Sequence, residues 1–164
     1  MVNIRNGDLR RPAEPMKPVV DPAGWTGAEL KASDDWVFRL DAGDIAEIDA
    51  AADAVEARGL DIKDISRDDF PLPGLDSKLA QIKTELIDGR GIAVLRGLPV
   101  ERYDIARSAA AFWGMGLRIG EPVSQNHKGH VLGHVLDLMG DSRDKDPTTR
   151  AYNTSSALDY HSDS

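Results

Sequence analysis

Apolar residues recur at helical spacing in three stretches of this chain, each bounded by residues that start or stop helices. Between Asp41 and Arg58, Ile45, Ile48, Ala52 and Val55 fall three or four residues apart, Asp44 and Glu47 make an acidic first turn, and Gly59 can close the helix. Alanine fills much of the remainder, which favours helix on intrinsic grounds. Pro71-Leu72-Pro73-Gly74 interrupts, and Leu75, Leu79, Ile82 and Leu86 then form a second stripe ending at Gly89. Pro99 and the acidic Glu101 and Asp104 open a third helix. Its inward positions are expected to be Ile105, Ala109 and Phe112, with Gly114, Gly116 and Gly120 punctuating its end. Amphipathic helices of this kind need a sheet or another helix to lie on.

Strand signals are shorter and come later. Gly91-Ile-Ala-Val-Leu-Arg-Gly97 is an apolar run between glycines and reads as a buried strand. Beyond Gly120, Val131-Leu132 and Val135-Leu136 belong to a β-prone segment, and Met139 to Pro147 forms a charged loop. Arg150-Ala-Tyr-Asn-Thr154 and Leu158-Asp-Tyr-His161 have strand-like spacing. Helices first and strands afterwards is an α+β order, with the strands only beginning as the sequence closes. Residues 1–24 hold Pro12, Pro15, Pro18 and Pro22 and read as an extended or disordered arm, which leaves 25–164 for the domain. Trp25 and Trp36 bracket a short polar stretch and read as packing anchors.

Composition narrows the function classes. A chain of 164 residues with 41% hydrophobic and 29% charged content can form one domain. A net charge of −8 argues against general affinity for nucleic acid, but not against a small anionic substrate, which needs only one or two placed cations. With no cysteine, disulfides and thiolate metal sites are excluded, so any metal must be held by His, Asp or Glu. No apolar h-region opens the sequence and no apolar run reaches the length of a membrane span, so a soluble cytoplasmic protein is expected.

The strongest candidate chemistry lies in the final residues. His161 and Asp163 make an H-x-D pair, and if the segment is a strand the two side chains leave the same face. A ring nitrogen and a carboxylate are two parts of the 2-His-1-carboxylate triad that leaves positions open on non-haem Fe(II). Three residues alone match often by chance, and a solvated polar tail is the plain reading of the pair. His130 and His134 would share a helix face, but Gly129, Gly133 and the neighbouring Val and Leu favour a strand, where the two lie too far apart to chelate one ion. With His127 they read as structural or pocket-lining rather than as a zinc site. Ser124-Gln125-Asn126-His127 is dense in hydrogen-bonding groups, which makes Gln125 and Asn126 candidate pocket residues beside the simpler role of satisfying local backbone. Arg90 between glycines sits at a helix C-terminus, the wrong pole for phosphate.

Several stretches, taken in order, resemble the taurine dioxygenase family of Fe(II)/2-oxoglutarate oxygenases. They are Trp25 and Trp36, Phe70-Pro-Leu-Pro73, Asp88-Gly-Arg-Gly-Ile-Ala-Val-Leu-Arg-Gly-Leu-Pro99 and Phe112-Trp-Gly-Met-Gly-Leu-Arg-Ile-Gly-Glu-Pro-Val-Ser-Gln125. Val135-Leu-Asp137, Arg150-Ala-Tyr152 and Leu158-Asp-Tyr-His-Ser-Asp-Ser164 continue the order. The resemblance covers about residues 25–164, and the linked order is far more specific than H-x-D alone. It implies a double-stranded β-helix, or jelly-roll, with flanking N-terminal helices. It also implies Fe(II) held by two His and one carboxylate, with 2-oxoglutarate chelating the metal and paired to an Arg. Molecular oxygen and a small organic metabolite would be the other reactants. Ser162 stands where members often carry Thr, and the sequence around Ser124-Gln-Asn126 departs from taurine dioxygenase, so taurine is not carried over as substrate.

No His or Arg follows Asp163, so the expectation is an incomplete jelly-roll truncated just after H-x-D. It would be inactive by itself, and its uncovered strand edges would favour self-association or a homo-oligomer. The alternative expectation is a non-enzymatic, degenerate jelly-roll acting as a binding or dimerisation module.

Overall fold

The computed structural model describes residue 12 and residues 14–124, 129–133 and 137. The chain divides into two compact units, Met1–Pro122 and Val123–Ser164. The first contains α1 (Gly27–Lys31), β1 (Val37–Arg39), α2 (Ala42–Ala57), α3 (Asp76–Ile87), β2 (Val94–Arg96) and α4 (Ile105–Ile119). Single 3-10 turns lie at Ile62–Asp64 and Val100–Arg102. The described residues therefore mix helices with a small sheet, in the α+β sense.

Local chemistry starts α2 and α4 where the sequence predicts. Asp41 caps α2, accepting from the Gly43 and Asp44 backbone N–H groups at 2.8 and 3.0 Å, while the Asp44 carboxylate accepts from Asp41 N in return. Gly59 closes the helix with φ of 63°. Asp104 accepts from Arg107 N at 2.7 Å and begins α4. No side chain of its own caps α3. Glu47 reaches over from α2 instead and accepts from Gly74 N and Leu75 N at 2.9 and 3.1 Å.

The core forms where α4 packs against both α2 and α3. Ile48, Ala52 and Val55 of α2, with Leu79 and Ile82 of α3, are buried as their spacing predicts; Ala51 is buried beside them, whereas Ile45 and Leu86 at the ends of the two stripes are only half-buried. The linker between these helices contributes as much: Ile65, Phe70, Leu72 and Leu75 are at most 3% exposed. Pro71 and Pro73 are themselves exposed, while Phe70, Leu72 and Leu75 beside them turn inward.

The buried face of α4 is not the expected one. Ile105 and Phe112 are 77% and 63% exposed, whereas Ala110, Ala111, Trp113, Gly114 and Met115 are buried. Small residues win this position because they let α4 approach the Phe70 ring closely, while Trp113 fills the adjoining space and donates its indole N–H to Ile65 O at 3.0 Å. Gly114 and Gly116 accordingly lie within α4 rather than at its end, and only Gly120 follows it.

The strand at 94–96 is half-buried rather than buried and is shorter than its apolar run. It pairs in parallel with β1, in the register Val37↔Val94, Phe38↔Leu95 and Arg39↔Arg96. Parallel pairing requires a long crossover, which α2 and α3 supply. Gly97 lies against Leu40 O in a left-handed conformation, φ 103°, where a Cβ would sit 3.1 Å from that oxygen.

Both expected packing anchors hold backbone, Trp25 Nε1 donating to Arg90 O at 2.9 Å and Trp36 Nε1 to Ser33 O at 3.0 Å, but only Trp36 is half-buried, and Trp25 is 37% exposed. In the second unit the described residues contain no helix or strand. Val131 and Leu132, expected in a β-prone segment, form a bend between Gly129, with φ of 78°, and Gly133.

Candidate functional site

The expected metal ligands His161 and Asp163 and the expected pocket residues Gln125 and Asn126 lie outside the described residues, as do His127 and His134. Ser124 and His130 are described, and both are exposed. Among the described residues no three His, Asp or Glu side chains gather as a metal site. The described scaffold of the first unit ends shortly before Ser124 in the chain.

The last helix of that scaffold is α4. Arg118 is nearly buried; its Nε donates to Asp76 Oδ1 at 2.8 Å, and its terminal nitrogen donates to Phe70 O at 2.9 Å and Arg67 O at 3.2 Å. Arg67 returns a hydrogen bond from Nε to Leu117 O at 2.6 Å. These bonds tie the last turn of α4 to the start of α3 and to the linker before it. Gly120-Glu121-Pro122 follow this turn and end the first unit. Arg67, Lys83, Leu117, Gly120, Glu121 and Pro122 line an open groove of about 590 Å³ there.

A cluster of charged groups among the described residues lies elsewhere, around Asp49. The Asp49 carboxylate accepts from Tyr103 Oη at 2.6 Å, from Arg102 at 2.7 Å and from Arg107 at 3.1 Å. Arg107 also donates to Asp53 Oδ1 at 2.6 Å, and both guanidinium groups lie over the Tyr103 ring, 5.5 and 5.2 Å from its centroid. Burial works to raise the Asp49 carboxyl, but the three donors outweigh it and hold the group below its ordinary range. Burial and the adjacent Asp49 carboxylate push the Tyr103 phenol up. A carboxylate so engaged is a poor general base, and a guanidinium shared between two acids is a poor anion receptor. The cluster joins α2 to the start of α4. Nothing in the local sequence relates Asp49 to residues more than fifty positions away.

A cleft of about 320 Å³ beside this cluster is floored by Ala52, Val55, Ile65 and Ala110, with Leu60 and Ile62 at its side. Arg107, Glu56 and Asp104 also line it, but Arg107 is paired with Asp53 and Asp104 is spent as a helix cap. It lacks the convergent polar groups that orient a substrate. No helix among the described residues is long and apolar enough to cross a membrane.

Comparison with known proteins supplies what this geometry does not. The model of the taurine catabolism dioxygenase TauD, TfdA family matches residues 56–164, a span that runs from the end of α2 through His161 and Asp163. FR-33289 synthase of Streptomyces rubellomurinus is 35% identical over 147 residues, covering 90% of this chain and 43% of that protein. Taurine hydroxylase-like protein SAT17 of Stachybotrys chartarum is 30% identical over 148 residues, covering 87% of this chain and 38% of that protein. The chain thus spans less than half the length of these relatives. Since the family match takes in α3, β2, α4 and the H-x-D pair as one continuous span, the chain belongs to the taurine catabolism dioxygenase TauD, TfdA family.

Proposed function

We propose that this chain is part of an Fe(II)/2-oxoglutarate-dependent dioxygenase that oxidises a C–H bond of a small organic metabolite. The observation that carries the proposal is the family match extending over His161 and Asp163. An imidazole nitrogen and a carboxylate oxygen are donor types suited to Fe(II), and the cysteine-free sequence offers no competing thiolate set. Bound Fe(II) with 2-oxoglutarate supplies the activation of molecular oxygen. His161 and Asp163 are the two metal ligands in this reading, and Gln125 and Asn126 supply amide donors and acceptors that orient a polar substrate. Residues 25–164 form the N-terminal part of a taurine dioxygenase-like domain with a jelly-roll sheet, preceded by an extended arm at 1–24. The location is cytoplasmic, and the substrate is a small molecule rather than nucleic acid, in keeping with the net charge of −8.

A third protein ligand and a cosubstrate-binding Arg are needed besides His161 and Asp163, so the 164 residues alone are expected not to turn over. The first test is the intact mass of the protein from its native source, followed by anaerobic addition of Fe(II) and 2-oxoglutarate. A mass well above 17.8 kDa together with a visible charge-transfer band supports the dioxygenase. A protein of 17.8 kDa that gives no band would leave the non-enzymatic binding or dimerisation module as the better reading.

A further inference from the structure

We draw no further inference here: the strongest candidate, the apolar stripe of Ile105, Ala109 and Phe112 on the outer face of α4, carries nothing because no feature of the described residues shows what covers it.

Discussion

Phe70 and Gly114 meet with no room for a side chain between them. A Cβ built on Gly114 would lie 2.6 Å from Phe70 Cε1 and nearer still to Cγ and Cδ1. Phe70 is fully buried and Gly114 sits inside α4, so the ring cannot retreat to solvent and the helix cannot move without opening the core. Gly114→Ala is therefore expected to destabilise the fold by about 1–3 kcal/mol, although alanine is the better helix former. Gly116→Ala is the control, because among the described residues nothing lies within 4 Å of its Cβ position. There the gain in helix propensity, up to about 1 kcal/mol, should dominate. Urea midpoints of the two variants should move in opposite directions, and equal losses would refute the packing account.

Glu47 gives α3 the cap that its own sequence lacks. Its two carboxylate oxygens accept from Gly74 N and Leu75 N, two donors that precede the helix and have no partner within it. Glu47→Ala should cost about 1 kcal/mol, in the range of a lost helix cap. Glu47→Gln keeps one acceptor oxygen and should lose less. Hydrogen exchange at Gly74 and Leu75 would localise the effect: faster exchange in the alanine variant is expected, and unchanged protection would remove Glu47 from this role.

Acid sensitivity should trace in part to Asp69. Hydrogen bonds from the Ser66 side chain and backbone, then the Arg58 guanidinium, lower its pKa from 3.8 to about 2. A carboxyl depressed in the folded state stabilises above its unfolded value and loses that contribution as protons bind. The contribution is thus present above pH 3.8 and disappears as pH falls toward about 2. Asp69→Asn should flatten the pH dependence of stability across that window while leaving the slope above pH 5 unchanged, as read from urea unfolding at stepped pH. An identical acid slope in the variant would contradict the assignment.

Tyr103, Arg102 and Arg107 converge on Asp49 and join the start of α4 to α2. Tyr103→Phe removes one hydrogen bond while keeping the ring beneath both guanidinium groups, and should cost about 1 kcal/mol. Arg107→Ala should cost more, because Asp53 loses its partner while Asp49 loses one of its three donors. A double-mutant cycle between Asp49→Asn and Arg107→Ala should return a coupling energy clearly above zero. Strict additivity would mean that the cluster is only a surface arrangement.

These long-range bonds mark the limit of what single-chain patterning can reveal. The bounds of α2 and the stripe Leu75, Leu79, Ile82 are legible because capping and helical period are local properties of consecutive residues. The buried face of α4 is not legible from period alone. Ile105 and Phe112 are large apolar residues at helical spacing, yet the close fit of Gly114 to Phe70 turns them outward and Trp113 and Met115 inward. The three-residue β1 is too short to stand out, and it is defined by its pairing to β2 rather than by its own pattern. For the site, H-x-D acquires meaning only through the ordered segments before it, because two residue types at one spacing say little about chemistry on their own.

The dioxygenase reading assigns different work to the two groups of expected site residues, and variants can separate them. His161→Ala or Asp163→Ala removes a donor from the metal itself, so Fe(II) affinity should fall sharply in either variant of the native-source protein. The band formed with 2-oxoglutarate should vanish at Fe(II) concentrations that saturate the unsubstituted protein. Gln125→Ala and Asn126→Ala remove groups assigned to the substrate alone. Those variants should keep the band and its Fe(II) dependence, while KM for the substrate rises with a smaller change in kcat, as expected when uniform binding is lost. Loss of the band in all four variants would point to a collapsed domain, which unfolding midpoints would reveal. Retention of the band in both His161→Ala and Asp163→Ala would overturn the metal assignment and return the search for ligands to His127, His130 and His134.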